Sequence, residues 1–133
     1  MRFPYHGAGV GLVKDGCLLI GKRCSKPFYG LWSVPGGERE KGIDRDELAT
    51  AKRELFEETG IDLNVLEARI VCSWSLRIPF FSWTTFYYEI KELKQELRPA
   101  EFSDLEWVKF EDVKKKHLRP FTAAEVRKLI RNL

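Results

Sequence analysis

The sequence predicts a mixed α/β domain with a sheet held between helices, and three observations carry that prediction. Short runs rich in β-branched and aromatic residues recur along the chain, separated by Gly, Pro and polar turn signals. One central stretch, DELATAKRELFEET at 46–59, is built from strong helix formers and is followed by Gly60. A final stretch, AAEVRKLIRNL at 123–133, repeats apolar residues at helical spacing. Many strands with two well-separated helices fit a sheet on which helices pack.

Taken in order, AGVGLV at 8–13 and CLLIGKR at 17–23 flank Lys14, Asp15 and Gly16. Asp-Gly between apolar runs is a strong hairpin signal. CSKPFYG at 24–30 reads as a loop, and LWSV at 31–34 as a short strand that stops at Pro35-Gly36-Gly37. Asp44 and Glu47 have the spacing of a capping box for the central helix, and Gly60 is placed to close it. EARIVCSWSLRI at 67–78 and FFSWTTFYYEI at 80–90 read as two strands split at Pro79. KELKQELRPAEFSD at 91–104 is a polar connection, and LEWVKF at 105–110 another strand. Thr122 and Glu125 offer a second capping box, with Val126, Leu129, Ile130 and Leu133 as one apolar stripe. No repeat, low-complexity segment or linker divides the sequence, so residues 1–133 are expected to form a single domain.

Composition narrows the function classes. Apolar residues make up 44% and charged residues 32%, a folded rather than disordered balance. A net charge of +3 is too mild to argue for nucleic acid. The only basic cluster, Lys114, Lys115, Lys116 and Arg119, reads as a solvated helix face rather than a binding stripe. Cys17, Cys24 and Cys72 form no Cys-x-x-Cys pair, which argues against a disulfide framework and for a reducing compartment. His6 and His117 are too few and too distant for a histidine-based metal site. No apolar run is long enough to span a bilayer or form a signal core. The expectation is a cytoplasmic enzyme or binding domain that engages neither membrane nor specific nucleic acid.

The acids are the unusual feature. Residues 34–62 hold nine carboxylates, ending on Glu54, Glu57 and Glu58. On a wheel turning about 100° per residue these three share an arc of about 100°, with Glu47 on the same side two turns earlier. Leu48, Leu55 and Thr59 lie on another side, with Ala51 and Phe56 at its margins. No basic residue follows any of the three at i+4, and Glu58 meets Asp62 instead. Like charges at that spacing are destabilising. Two readings remain: a solvated acidic face, or a site whose oxygens hold a divalent cation such as Mg²⁺.

Gly37 followed by Arg53-Glu54-Leu55-x-Glu57-Glu58-x-Gly60-Ile61 resembles the Nudix box. The usual form is Gly, five residues, Glu, seven residues, then Arg-Glu-apolar-x-Glu-Glu-x-Gly-apolar. LLIGKR and GLWSVPGG before it and LEWVKFEDV after it are also similar to Nudix domains. One departure is plain: 15 residues separate Gly37 from Arg53 where the usual box has thirteen. The first half carries a two-residue insertion, so the box's first Glu has no secure equivalent among Glu40, Asp44 and Glu47.

The resemblance implies an α/β/α sandwich with a mixed central sheet, one long catalytic helix and a C-terminal helix. It also implies metal-dependent hydrolysis of a pyrophosphate linkage in a nucleoside diphosphate derivative, with Mg²⁺ or alternatively Mn²⁺. Carried over residue by residue, Glu57 and Glu58 would be the main metal ligands and the Gly37 carbonyl a backbone ligand. Glu54 would be a further ligand or the catalytic base. Arg53 would hold an acid of the site in position, and a fourth carboxylate would come from a later loop, with Glu101 first choice and Glu89 second. Arg23 is the candidate for phosphate contact. Among the aromatics Tyr29 is the candidate for stacking on a base, because its loop leads into the box strand. A Pro or Tyr about sixteen residues after the box often marks the dinucleotide and nucleotide-sugar subfamilies. Arg77 stands sixteen after Ile61 and Pro79 eighteen, so neither marker is met. That favours a nucleoside triphosphate pyrophosphohydrolase releasing the monophosphate and pyrophosphate, over hydrolysis of ADP-ribose, nucleotide sugars or dinucleoside polyphosphates. A Nudix-shaped binding module without catalysis is the third reading. The resemblance allows a homodimer, for which the sequence offers no interface.

Overall fold

The computed structural model describes residues 3–24, 28–100 and 102–133. Its strands are β1 (Tyr5–Lys14), β2 (Cys17–Arg23), β3 (Trp32–Ser33), β4 (Gly36–Glu38), β5 (Ala68–Ile78), β6 (Phe81–Ile90) and β7 (Phe102–Lys109). Its helices are α1 (Glu47–Thr59), a short α2 (Phe110–Val113) and α3 (Thr122–Asn132), with a 3-10 turn at Leu63–Val65. All seven strands join one mixed sheet, in which the path β3-β2-β1-β6-β5 is extended by β4 on β1 and β7 on β2. β1 and β6 run parallel, while β1 pairs antiparallel with β2 and β4.

The hairpin forms where the sequence places it. Asp15 and Gly16 both have positive φ, 52° and 73°, the twist that suits a two-residue turn between strands. β1 is buried on both faces, and its alternation explains how. Ala8, Val10 and Leu12 pack with Leu55 and Ala51 of α1 in one core. Gly7, Gly9 and Gly11 point the other way, where a Cβ at Gly7 or Gly9 would meet the Trp83 ring and one at Gly11 the Tyr87 ring. The glycine stripe therefore lets two large β6 side chains lie across β1, which pairs Gly7 with Trp83 and Gly11 with Tyr87. A second core holds Val13, Ile20, Trp32 and Tyr87 with Val126 and Leu129 of α3. The sheet thus lies between two helical layers, the expected sandwich.

Several local expectations are corrected. The short strand does end before Pro35, but Gly36 and Gly37 are not a turn: the chain resumes pairing there as β4, with Gly37 opposite Ala8. α1 is capped by Asp46, whose side chain accepts from the Ala49 N–H at 2.8 Å. Asp44 is not the cap because its carboxylate is drawn to Arg53. Gly60 does close α1, with φ 80° and its N–H on the Phe56 carbonyl. α3 has no side-chain cap, since Thr122 and Glu125 turn into the interior. Of its anticipated stripe, Val126 and Leu129 are buried, whereas Ile130 and Leu133 are exposed.

Candidate active site

α1 presents its acids where it crosses β4 and β1. A Cβ at Gly37 would fall inside the space taken by the Glu54 carboxylate, so only glycine lets that acid lie against the backbone of β4. Glu58 lies one turn further along and is only 2% exposed; its Oε2 accepts the Gly36 N–H at 2.9 Å. Glu57 stays half-exposed. The acids are therefore not a solvated face: α1 buries Thr50, Ala51, Leu55, Glu58 and Thr59 and leaves Phe56 exposed.

The charge that gathers them is Arg53. Its Nε and Nη2 donate to both Asp44 oxygens at 2.9 and 2.8 Å. Nη1 donates to Glu54 at 3.0 Å and to Glu57 at 3.1 Å, and Nη2 also reaches the Glu38 carbonyl at 3.0 Å. Asp44, 4% exposed, additionally accepts from the Glu40 N–H and the Thr50 hydroxyl. Arg53 holds the Asp44 carboxyl well below its ordinary value, assisted by these donors. Of Glu40, Asp44 and Glu47, the first two thus collect near Arg53, Glu40 at 3.6 Å. Glu47 instead pairs with Arg77 of β5 at 2.7 Å.

Beside these acids opens a cleft of about 650 Å³. Glu38, Glu40, Glu54 and Glu57 line it with Gly36 and Gly37. Arg23, Arg119 and the rings of Tyr5, Phe28, Phe81, Trp83 and Phe121 line it too. The cleft combines an acidic side with cationic and aromatic groups, which suits a ligand having a polyphosphate and a planar base. Arg23 thus reaches the cleft from the end of β2. Tyr29 does not line the cleft: it is 71% exposed, because the positive φ of Phe28 turns that ring rather than its neighbour inward. Glu89 sits elsewhere, in an ion pair with Arg69, and Glu101 lies outside the described residues. Sequence reasoning missed Tyr5, Phe121 and Arg119. Lys114 and Lys115 of the basic cluster are solvated, but Arg119 turns inward.

A model of the NUDIX domain matches residues 6–133. The chain belongs to the Nudix family. An ADPR responsive transcriptional repressor, NtrR of Acinetobacter baylyi, is 31% identical over 106 residues, 74% of this chain and 40% of that protein. The chain spans only those two fifths of that curated relative. A MutT Nudix hydrolase from Burkholderia pseudomallei superposes with a TM-score of 0.64 at 27% identity, covering 97% of each chain. The bifunctional NMN adenylyltransferase/ADP ribose pyrophosphatase of Francisella tularensis, complexed with AMP and a manganese ion, gives 0.79 at 19% identity. That match covers 96% of this Nudix domain and 41% of the bifunctional chain, and it shows a shared fold. No helix among the described residues is long and apolar enough to cross a membrane.

Proposed function

We propose that this Nudix domain hydrolyses a pyrophosphate linkage in a nucleoside diphosphate derivative, using Mg²⁺ or Mn²⁺. The observation that carries the reading is that Arg53 fixes Glu54 and Glu57 at the edge of a cleft whose other walls are aromatic and cationic. The donor set fits the ion. It is all oxygen, and the Glu54 carboxylate fills the hollow that Gly37 leaves open. Among the described residues no three acidic, histidine or cysteine side chains are arranged to hold a metal ion by themselves. Mg²⁺ suits such a site, since it typically takes one or two carboxylates and completes its sphere with water and substrate phosphate. Glu57, Glu58 and the Gly37 carbonyl would hold it. When bound, such an ion neutralises the phosphate oxygens and stabilises the departing phosphate.

The chain's own groups supply the rest. Glu54 takes the proton of a water attacking phosphorus, as the scissile P–O bond breaks and the leaving group departs with its electron pair. Arg53 is a positioning residue that keeps Glu54 and Glu57 in place. Arg23 receives phosphate charge, and the aromatic wall receives the base.

The first substrate class is a nucleoside triphosphate, cleaved to monophosphate and pyrophosphate in a cytoplasmic setting. A second class, ADP-ribose and similar diphosphates, is favoured by the ADP-ribose response named for the Acinetobacter relative. A nucleotide panel with Mg²⁺, assayed for phosphate with and without added inorganic pyrophosphatase, separates these readings. Phosphate appearing only with pyrophosphatase supports the triphosphate reading. AMP formed from ADP-ribose supports the second. Nucleotide binding with no release from any compound would overturn hydrolysis and leave a binding module.

A further inference from the structure

Arg119 is an unusual wall for a cleft. Its side chain is 12% exposed, and its guanidinium lies 4.0 Å from the Trp83 ring. None of its side-chain N–H groups donates a hydrogen bond among the described residues. Among the described residues its one ion pair is with Glu125, at 4.0 Å, too long for a hydrogen bond. Glu125 is 1% exposed and has its own unpartnered atom, Oε2. Its Oε1 accepts the hydroxyl of buried Tyr87 at 3.1 Å. Burial pushes the Glu125 carboxyl up, opposed first by the Thr85 hydroxyl and then by Arg119 and Tyr87. Arg119 lines the cleft with donors that no protein acceptor claims among the described residues, so they are placed to be given to a ligand.

What it faces decides the partner. The charged groups acting on Arg119 most strongly are Glu125 and Arg23, not the acids of α1. Around it stand Tyr5, Phe81, Trp83 and Phe121, all lining the cleft. A base stacked among these rings would bring its edge to the Arg119 guanidinium, while neighbouring Arg23 takes the phosphate charge. Guanidinium offers donors only. It therefore matches a base edge with two neighbouring acceptors, as in the O6 and N7 of guanine, and mismatches adenine, which sets an amino donor beside N7.

We propose that Arg119, laid on Trp83 and backed by Glu125 and Tyr87, reads the base and makes the cleft selective for 6-oxopurine nucleotides over adenine nucleotides. This rests on the nucleotide reading of the same cleft. The test compares GTP, ITP, ATP, CTP and 7-deaza-GTP by kcat/KM in the wild type and in Arg119→Lys, which keeps the charge but loses the fork. Binding of GMP, IMP and AMP without metal is measured alongside by calorimetry. The expected result is GTP and ITP preferred over ATP by about tenfold or more, 7-deaza-GTP losing most of that preference, and Arg119→Lys abolishing it. Equal use of GTP and ATP by the wild type, or CTP used as well as GTP, would overturn the assignment without needing any variant to fold. So would an unchanged ratio in folded Arg119→Lys. If no nucleotide is hydrolysed yet GMP and IMP bind tenfold tighter than AMP, the base reading stands and the hydrolase reading falls.

Discussion

Five donors on one plane let Arg53 serve Asp44 through one edge and Glu54 and Glu57 through another corner. Asp44 is the buried half of that arrangement, so removing its charge leaves Arg53 short of its best partner. Asp44→Asn is expected to lower the unfolding free energy by about 3 kcal/mol, measured by urea denaturation. The same pair sets an acid limit. Because folding lowers the Asp44 pKa, its stabilisation is complete above the ordinary value of 3.8. It drains away as the pH falls from there towards the lowered folded value. Wild-type stability should therefore drop more steeply below about pH 4 than that of Asp44→Asn, which a melting-temperature series across acid pH would show. Equal slopes would remove Asp44 from the account.

At the scale of elements, α1 is set by its ends as much as by its faces. Asp46→Ala should destabilise the protein by about 1 kcal/mol through loss of the Ala49 N–H partner. A null result would return the cap to the residues that capping-box spacing suggested. The central strand makes a second prediction. Gly11→Ala would drive a methyl into the buried Tyr87 ring, and such overpacking costs about 1–3 kcal/mol, readable as a fall in Tm. What was legible in the sequence follows this division. Local signals held: the Asp15-Gly16 turn, the Gly60 stop and the strand break at Pro79 depend on a few adjacent residues. The two capping boxes failed for one reason, that tertiary contacts claimed their side chains. Asp44 went to Arg53, and Glu125 to Tyr87.

Over the whole molecule, the candidate site is assembled by pairings that no local rule reveals. Parallel pairing of β1 with β6 sets Trp83 against the glycines of β1, and β4 brings Gly37 under α1. The box residues were readable because they lie on one helix and one turn. The cleft's aromatic and cationic walls come from β1, the end of β2 and the loop after it, β6 and the segment before α3, far apart in sequence. Those separations hide from the sequence both the inward turn of Arg119 and the outward turn of Tyr29. The central claim is that acids gathered by Arg53 serve a divalent ion in pyrophosphate hydrolysis. Its most direct test is the rate of nucleotide hydrolysis by wild type and Glu57→Gln across a Mg²⁺ titration, starting from chelator-treated protein. The account predicts no turnover without the ion, recovery on its addition, and a rate in Glu57→Gln lower by roughly a hundredfold or more with the melting curve preserved. Metal-independent turnover, or a near-normal rate in that variant, would contradict it.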